Sequence, residues 1–211
     1  MAAPSSTPIS QEMEMLLCCA RTTLSPELAA QIRKLGDEPL DWDRVLSQAS
    51  QHSLAPLLER SLRTAAPERL PDARFERLRK ETRANALHAL ALGSELARVV
   101  QRLDERGIAV LSYKGPVLAI QAYHDVALRQ FDDLDIVLRQ RDMREAHETL
   151  LGLGYTAKFA PVLSPARKNS PIPGEYKYYN ETRACSWNCT RSKHSGIFLW
   201  RRISMSCLNE A

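Results

Sequence analysis

The chain has 211 residues, 44% of them hydrophobic and 26% charged, with a formal net charge of +4. That length suits one domain or a modest two-part body, able to bury roughly 70% of its unfolded surface. No run approaches the roughly 20 apolar residues of a membrane helix, and MAAPSSTPISQEMEMLL lacks the basic and apolar regions of a secretory signal, so a cytoplasmic address is expected. The charge is unevenly placed. From Ser164 onward eight basic residues stand against three acidic ones, a net of +5, which leaves −1 for the rest. The main body therefore has no basic footprint for DNA.

The first hundred residues read as helices. Ser10 suits an N-cap before QEMEMLLCC, Ser25 and Pro26 open a second helix with Gly36 as its terminator, and a third starts at Asp41. LAPLLERSLR supplies a fourth. A long helix is expected from about Asp72 to Arg106, because Phe75, Leu78, Thr82, Ala89, Leu96, Val100 and Leu103 recur at three- and four-residue steps. Gly107 ends it, and Ile108 to Leu111 form a short apolar run that reads as a buried strand. Gly115 permits a turn and Pro116 opens the helix PVLAIQAYHD. FDDLDIVL is a second strand, RDMREAHETLLGLG a further helix with Met143, Ala146, Leu150 and Leu153 inward, and Tyr155 to Phe159 open a third strand. Helices first and alternating elements afterwards make an α+β protein. The divisions are a helical region over 1–106, a partial core over 107–163 and an atypical tail over 164–211.

The tail differs from the body. Leucine, abundant before Ser164, is reduced to Leu199 and Leu208, asparagine appears at Asn169, Asn180, Asn188 and Asn209, and no aspartate follows Asp142. NSPIPGEYKYYNE is loop chemistry. The segment reads as disordered, as a small module, or, preferably, as sequence translated after loss of the original frame near residue 165.

FDDLDIVL carries the chemistry. Side chains alternate along a strand, so Asp133 and Asp135 share a face while Leu134 and Ile136 share the other. Two carboxylates so placed repel each other, and a hard divalent cation such as Mg²⁺ or Mn²⁺ between them reverses that cost. Lys114 and Gly115 end the preceding strand at a helix start, where free N–H groups attract anions, and Arg129 is a further phosphate candidate. The arrangement suits phosphoryl or nucleotidyl transfer.

The run LSYKGPVLAIQAYHDVALRQFDDLDIVLRQRDMREAHETLLGLGY resembles the uncharacterised nucleotidyltransferase family of the DNA polymerase β-like superfamily. Its lysine-glycine turn, Tyr, Arg, D-x-D strand and closing Gly-Tyr fall here on Leu111 with Lys114 and Gly115, Tyr123, Arg129, Asp133 with Asp135, and Gly154 with Tyr155. The resemblance implies a small polymerase-β-like core with an incomplete sheet. It also implies that Asp133 and Asp135 are the catalytic, metal-holding acids, with a nucleoside triphosphate bound beside Lys114, Gly115 and Arg129 and an unknown acceptor (a small molecule, an RNA or a protein). It further implies a third carboxylate on a later strand, running into an acid-x-His-Trp pattern that the tail does not contain. Impaired transfer is therefore expected, or alternatively a degenerate nucleotide-binding or regulatory protein of toxin-antitoxin type.

Other motifs carry less. Cys185, Cys189, His194 and Cys207 have no common zinc spacing. Cys18 and Cys19 read as buried helix thiols, His124 with Asp125 as a cap, and His52, His88 and His147 as helix-surface residues.

Overall fold

In the computed structural model, residues 9–69, 72–158, 175–183 and 185–192 are described. The chain divides into two units, residues 1–87 with 122–130, and residues 88–121 with 131–211. No helix among the described residues is long and apolar enough to cross a membrane.

The first unit is helical: α1 (Gln11–Cys19), α2 (Pro26–Asp37), α3 (Trp42–Gln51), α4 (Ala55–Ala65) and the first turns of α5 (Glu76–Asp104). Its starts follow from local chemistry. Ser10 accepts from the Met13 amide, Ser25 from Leu28 and Asp41 from Arg44, each satisfying an amide that the first turn leaves open. The apolar stripes meet in one core that includes Met15, Leu16, Ile32, Val45, Leu58, Leu62, Phe75 and Leu78, where Trp42 meets Phe75 edge to face at 5.0 Å. Cys18 and Cys19 are buried there, and burial pushes the Cys19 thiol up to about 12. Gly36 is not a terminator; α2 continues to Asp37. A Cβ at Gly36 would lie 3.0 Å from Arg69 Nε, so the glycine leaves room for that guanidinium.

The second unit holds a mixed five-stranded sheet in the order β1-β2-β5-β4-β3: β1 (Val110–Ser112), β2 (Asp133–Arg139), β3 (Thr156–Ala157), β4 (Glu175–Asn180) and β5 (Cys185–Ser192). β2 and β5 run parallel, and the other pairs are antiparallel. One face is apolar. Leu134, Ile136 and Leu138 on β2, Trp187 and Cys189 on β5 and Tyr178 on β4 are all buried, as are Leu92, Leu96, Val99 and Leu103 of α5 and Met143, Ala146 and Leu150 of α7 (Met143–Gly152). The expected buried stripe is kept at Phe75, Leu78, Ala89, Leu96 and Leu103, but Val99 is fully buried where Val100 was expected, and Val100 only partly so.

Three further expectations change. Loop chemistry was expected for residues 175–180, yet they form β4, and β5 beside it alternates buried Cys185, Trp187 and Cys189 with more polar Ser186, Asn188 and Thr190. PVLAIQAYHD is not one regular helix. α6 (Gly115–Leu118) is followed by a π turn over Ala119–Tyr123, and Asp125 caps the next short turn through the Ala127 amide. His147 is not simply on the surface, since its Nδ1 lies 3.0 Å from the Tyr178 hydroxyl, and burial lowers its pKa.

Candidate active site

The opposite face of the sheet is the more open one, and it carries the acids. Parallel register sets Asp133 beside Ser186 and Asp135 beside Asn188, while Lys177 of β4 stands across from Asn188. Asp133 is partly exposed and Asp135 is buried at 4% exposure, although the two sit on the same strand face. Leu134 between them points into the core, which ties the acids to a rigid element.

Burial of a carboxylate requires partners, and Asp135 has two. Asn188 Nδ2 donates to Asp135 Oδ1 at 3.3 Å and to Asp133 Oδ2 at 2.6 Å, so one amide group bridges both acids. Lys114 Nζ lies 3.5 Å from Asp135 Oδ1. The negative charge of Asp135 raises the lysine's pKa above its ordinary value, so Lys114 is the cation of this cluster.

Gly115 follows Lys114 with φ +52°, in the left-handed region that favours glycine. A Cβ there would stand 3.3 Å from the Asp133 carbonyl oxygen, so the turn is pressed against the acidic strand. Gly115→Ala is expected to cost about 1–2 kcal/mol through the left-handed conformation alone, read as a lowered urea midpoint. An unchanged midpoint would mean the turn relaxes freely. The helix after this turn keeps α geometry only from Gly115 to Leu118. Its dipole is correspondingly short, so the expected anion-attracting helix start reduces to Lys114 and the turn.

Of the five residues expected at the site, Lys114, Gly115, Asp133 and Asp135 come together. Arg129 belongs to the helical unit, where its carbonyl accepts from Asn85 at 3.5 Å. Asn188 was missed, and its signal was the apolar-polar alternation of CSWNCTRS. Glu175 opens β4 opposite Thr190, and Glu181 lies in the turn after β4. Among the described residues no three His, Cys, Asp or Glu side chains gather as a metal site. Cys185 and Cys189 are buried thiols on the apolar face, with burial pushing Cys185 up to about 11 and Cys189 higher still; His194 and Cys207 lie outside the described residues.

The mixed α+β fold, with its acid-bearing strand beside a lysine-glycine turn, is of a kind suited to phosphate chemistry. A family model described as an uncharacterised nucleotidyltransferase matches residues 38–199, well over half of the chain and across both β4 and β5, and the chain belongs to that family. No curated protein and no solved structure matches it. Membership carries the general class of function, nucleotidyl transfer, and with it a divalent metal as the usual helper.

The residues present do not fit that metal as they stand. Two carboxylates suit a hard cation, but the third group facing them offers an N–H donor, and an ammonium already lies against Asp135. The cluster is satisfied by the N–H donors of Asn188 and by Lys114.

Proposed function

We propose that this chain binds a nucleoside triphosphate beside Lys114, Gly115 and the Asp133–Asp135 pair, and that its transfer of a nucleoside monophosphate to an acceptor is impaired. The observation that carries this reading is the amide bridge from Asn188 to both acids, at the place where a later strand is expected to supply a third carboxylate. Efficient transfer needs a base that takes the acceptor hydroxyl's proton and a charge that steadies the phosphates. Lys114 supplies positive charge, and the turn at Gly115 holds it near Asp135. Asn188 supplies neither a base nor a negative charge. Mg²⁺ or Mn²⁺ dependence belongs to the family's activity, and in this chain it is tied to what occupies position 188. The acceptor class stays open among small molecules, RNA and protein side chains.

Calorimetry with MgATP, MgGTP and MgCTP, followed by incorporation of labelled monophosphate, tests the reading. Binding is expected for at least one triphosphate, with a loss of about tenfold in Lys114→Ala, as suits removal of one charge-assisted contact. Incorporation is expected to be slow or absent. Failure of every triphosphate to bind, or rapid incorporation by the chain as it is, would overturn the proposal.

A further inference from the structure

The structure assigns to Asn188 the part of an internal substitute for a cation: its amide closes the acid pair without metal, and an acid at this one position turns the cluster into a divalent-cation site. This rests on the acid pair being the centre of the site, as proposed above, but not on any nucleotide binding there.

Asp133 and Asp135 lie two residues apart on one face, with Asp135 buried, an arrangement whose mutual repulsion must be answered. The Nδ2 group answers it, reaching both acids, and Lys114 adds its charge chiefly on Asp135. Asn188 is itself buried at 8% exposure on a central strand, with β2 on one side and β4 on the other, so the bridge is held by the sheet. A carboxylate at the same Cβ would face two others, with Lys114 against Asp135 and Lys177 across from position 188 to answer three acids. That set is short of positive charge and oxygen-rich, the donor chemistry that hard divalent ions select.

The codons point the same way. Trp187, Asn188, Cys189 and Thr190 are encoded by TGG, AAY, TGY and ACN. Read from the last base of the tryptophan codon, these give GAA-YTG-YAC, which is Glu-Leu-His or Glu-Leu-Tyr whichever synonymous codons are used. Two bases of that glutamate codon lie in the codon of Asn188. In the standard code a glutamate overlapping the codon of Asn188 is thus one frame away, which makes an acid the substitution to test there.

The test uses the full chain with Mn²⁺ alone as probe, in the wild type, Asn188→Asp and Asn188→Glu. Free Mn²⁺ is followed by its paramagnetic resonance signal, and unfolding by circular dichroism. Wild type is expected to take up Mn²⁺ only weakly and to show no Mn²⁺-dependent shift in Tm. At least one acidic variant is expected to melt lower without metal, to bind Mn²⁺ at least about tenfold more tightly than wild type, and to recover its Tm as Mn²⁺ rises. Equal Mn²⁺ affinity in wild type and variants overturns the inference. So does a folded pair of variants that gain no affinity, or a pair that Mn²⁺ does not refold. Because no nucleotide is present, the result stands or falls separately from triphosphate binding.

Discussion

Trp187→Ala is expected to lower the stability of the second unit by about 3–5 kcal/mol, the range for removing a fully buried large aromatic side chain. Trp187 is completely buried on β5 and meets Tyr155 edge to face at 6.2 Å. Its removal empties the middle of the apolar sheet face, where Leu134 and Tyr178 are its cross-strand partners on either side. Whole-domain stabilities are about 5–15 kcal/mol, so a loss of this size takes a large share of the total. Tyr179→Ala is the control. Tyr179 is on the neighbouring strand but 45% exposed, and its removal is expected to change stability by no more than about 0.5 kcal/mol. Urea unfolding followed by far-ultraviolet circular dichroism reads both. A Trp187→Ala loss as small as the control's would mean that the segment after residue 174 contributes nothing to the folded body, and the sheet would then end at β2.

That segment is where sequence and structure part most. The helical unit was legible because its signals are local: Ser10, Ser25 and Asp41 each cap the next helix through side-chain oxygens, and stripes at helical spacing need no knowledge of the partner. β2 was legible for a similar reason, an apolar run interrupted by acids on alternate positions. β4 and β5 were hidden by composition. The shift to asparagine, cysteine and serine after residue 164 masks the period-two pattern of Cys185, Trp187 and Cys189, whose apolar face is defined only by pairing with β2. Gly36 was misread because a glycine near a helix end usually stops it, whereas here the missing Cβ makes room for Arg69, which lies 33 residues further along the chain.

The site divides along the same line. Asp133, Asp135 and Lys114 could be found because their chemistry and spacing are adjacent in the chain. Asn188 could not, since its role exists only through the parallel pairing of β5 with β2, and no spacing rule links residue 188 to residue 135. Arg129 lies in the chain between the two strands and belongs to the helical unit. Strand acids are thus the readable half of such a site, and the partner that decides their chemistry is the unreadable half.

Glu95 is the second place where a large effect is expected, and it too binds the late segment to the body. It sits inside α5 at 6% exposure, on the buried side of a helix where a charge is costly. Arg98 donates to it through both Nε and Nη2, Tyr155 donates its hydroxyl, and Arg183, just beyond β4, lies 3.2 Å away. Burial pushes the Glu95 carboxyl up, but the hydrogen bonds from Arg98 and Tyr155 and the charges of Arg98 and Arg183 outweigh it and hold the group below its ordinary value. Glu95→Ala strands the buried Tyr155 hydroxyl and leaves two arginines without their shared partner. A cost of about 2–4 kcal/mol is expected, below the full value for a buried pair because both arginines are partly exposed. The sign with pH follows from the lowered value. A carboxyl depressed in the folded state stabilises above its unfolded pKa of about 4.3 and loses that contribution as pH falls through the folded value. Glu95→Gln lacks this titration, so the gap in urea midpoint between wild type and Glu95→Gln is expected to be widest near neutrality and to shrink toward about pH 3. A gap that stays constant across that range would show that the carboxylate's charge, as distinct from its shape and hydrogen bonds, does not hold α5 to Tyr155 and Arg183.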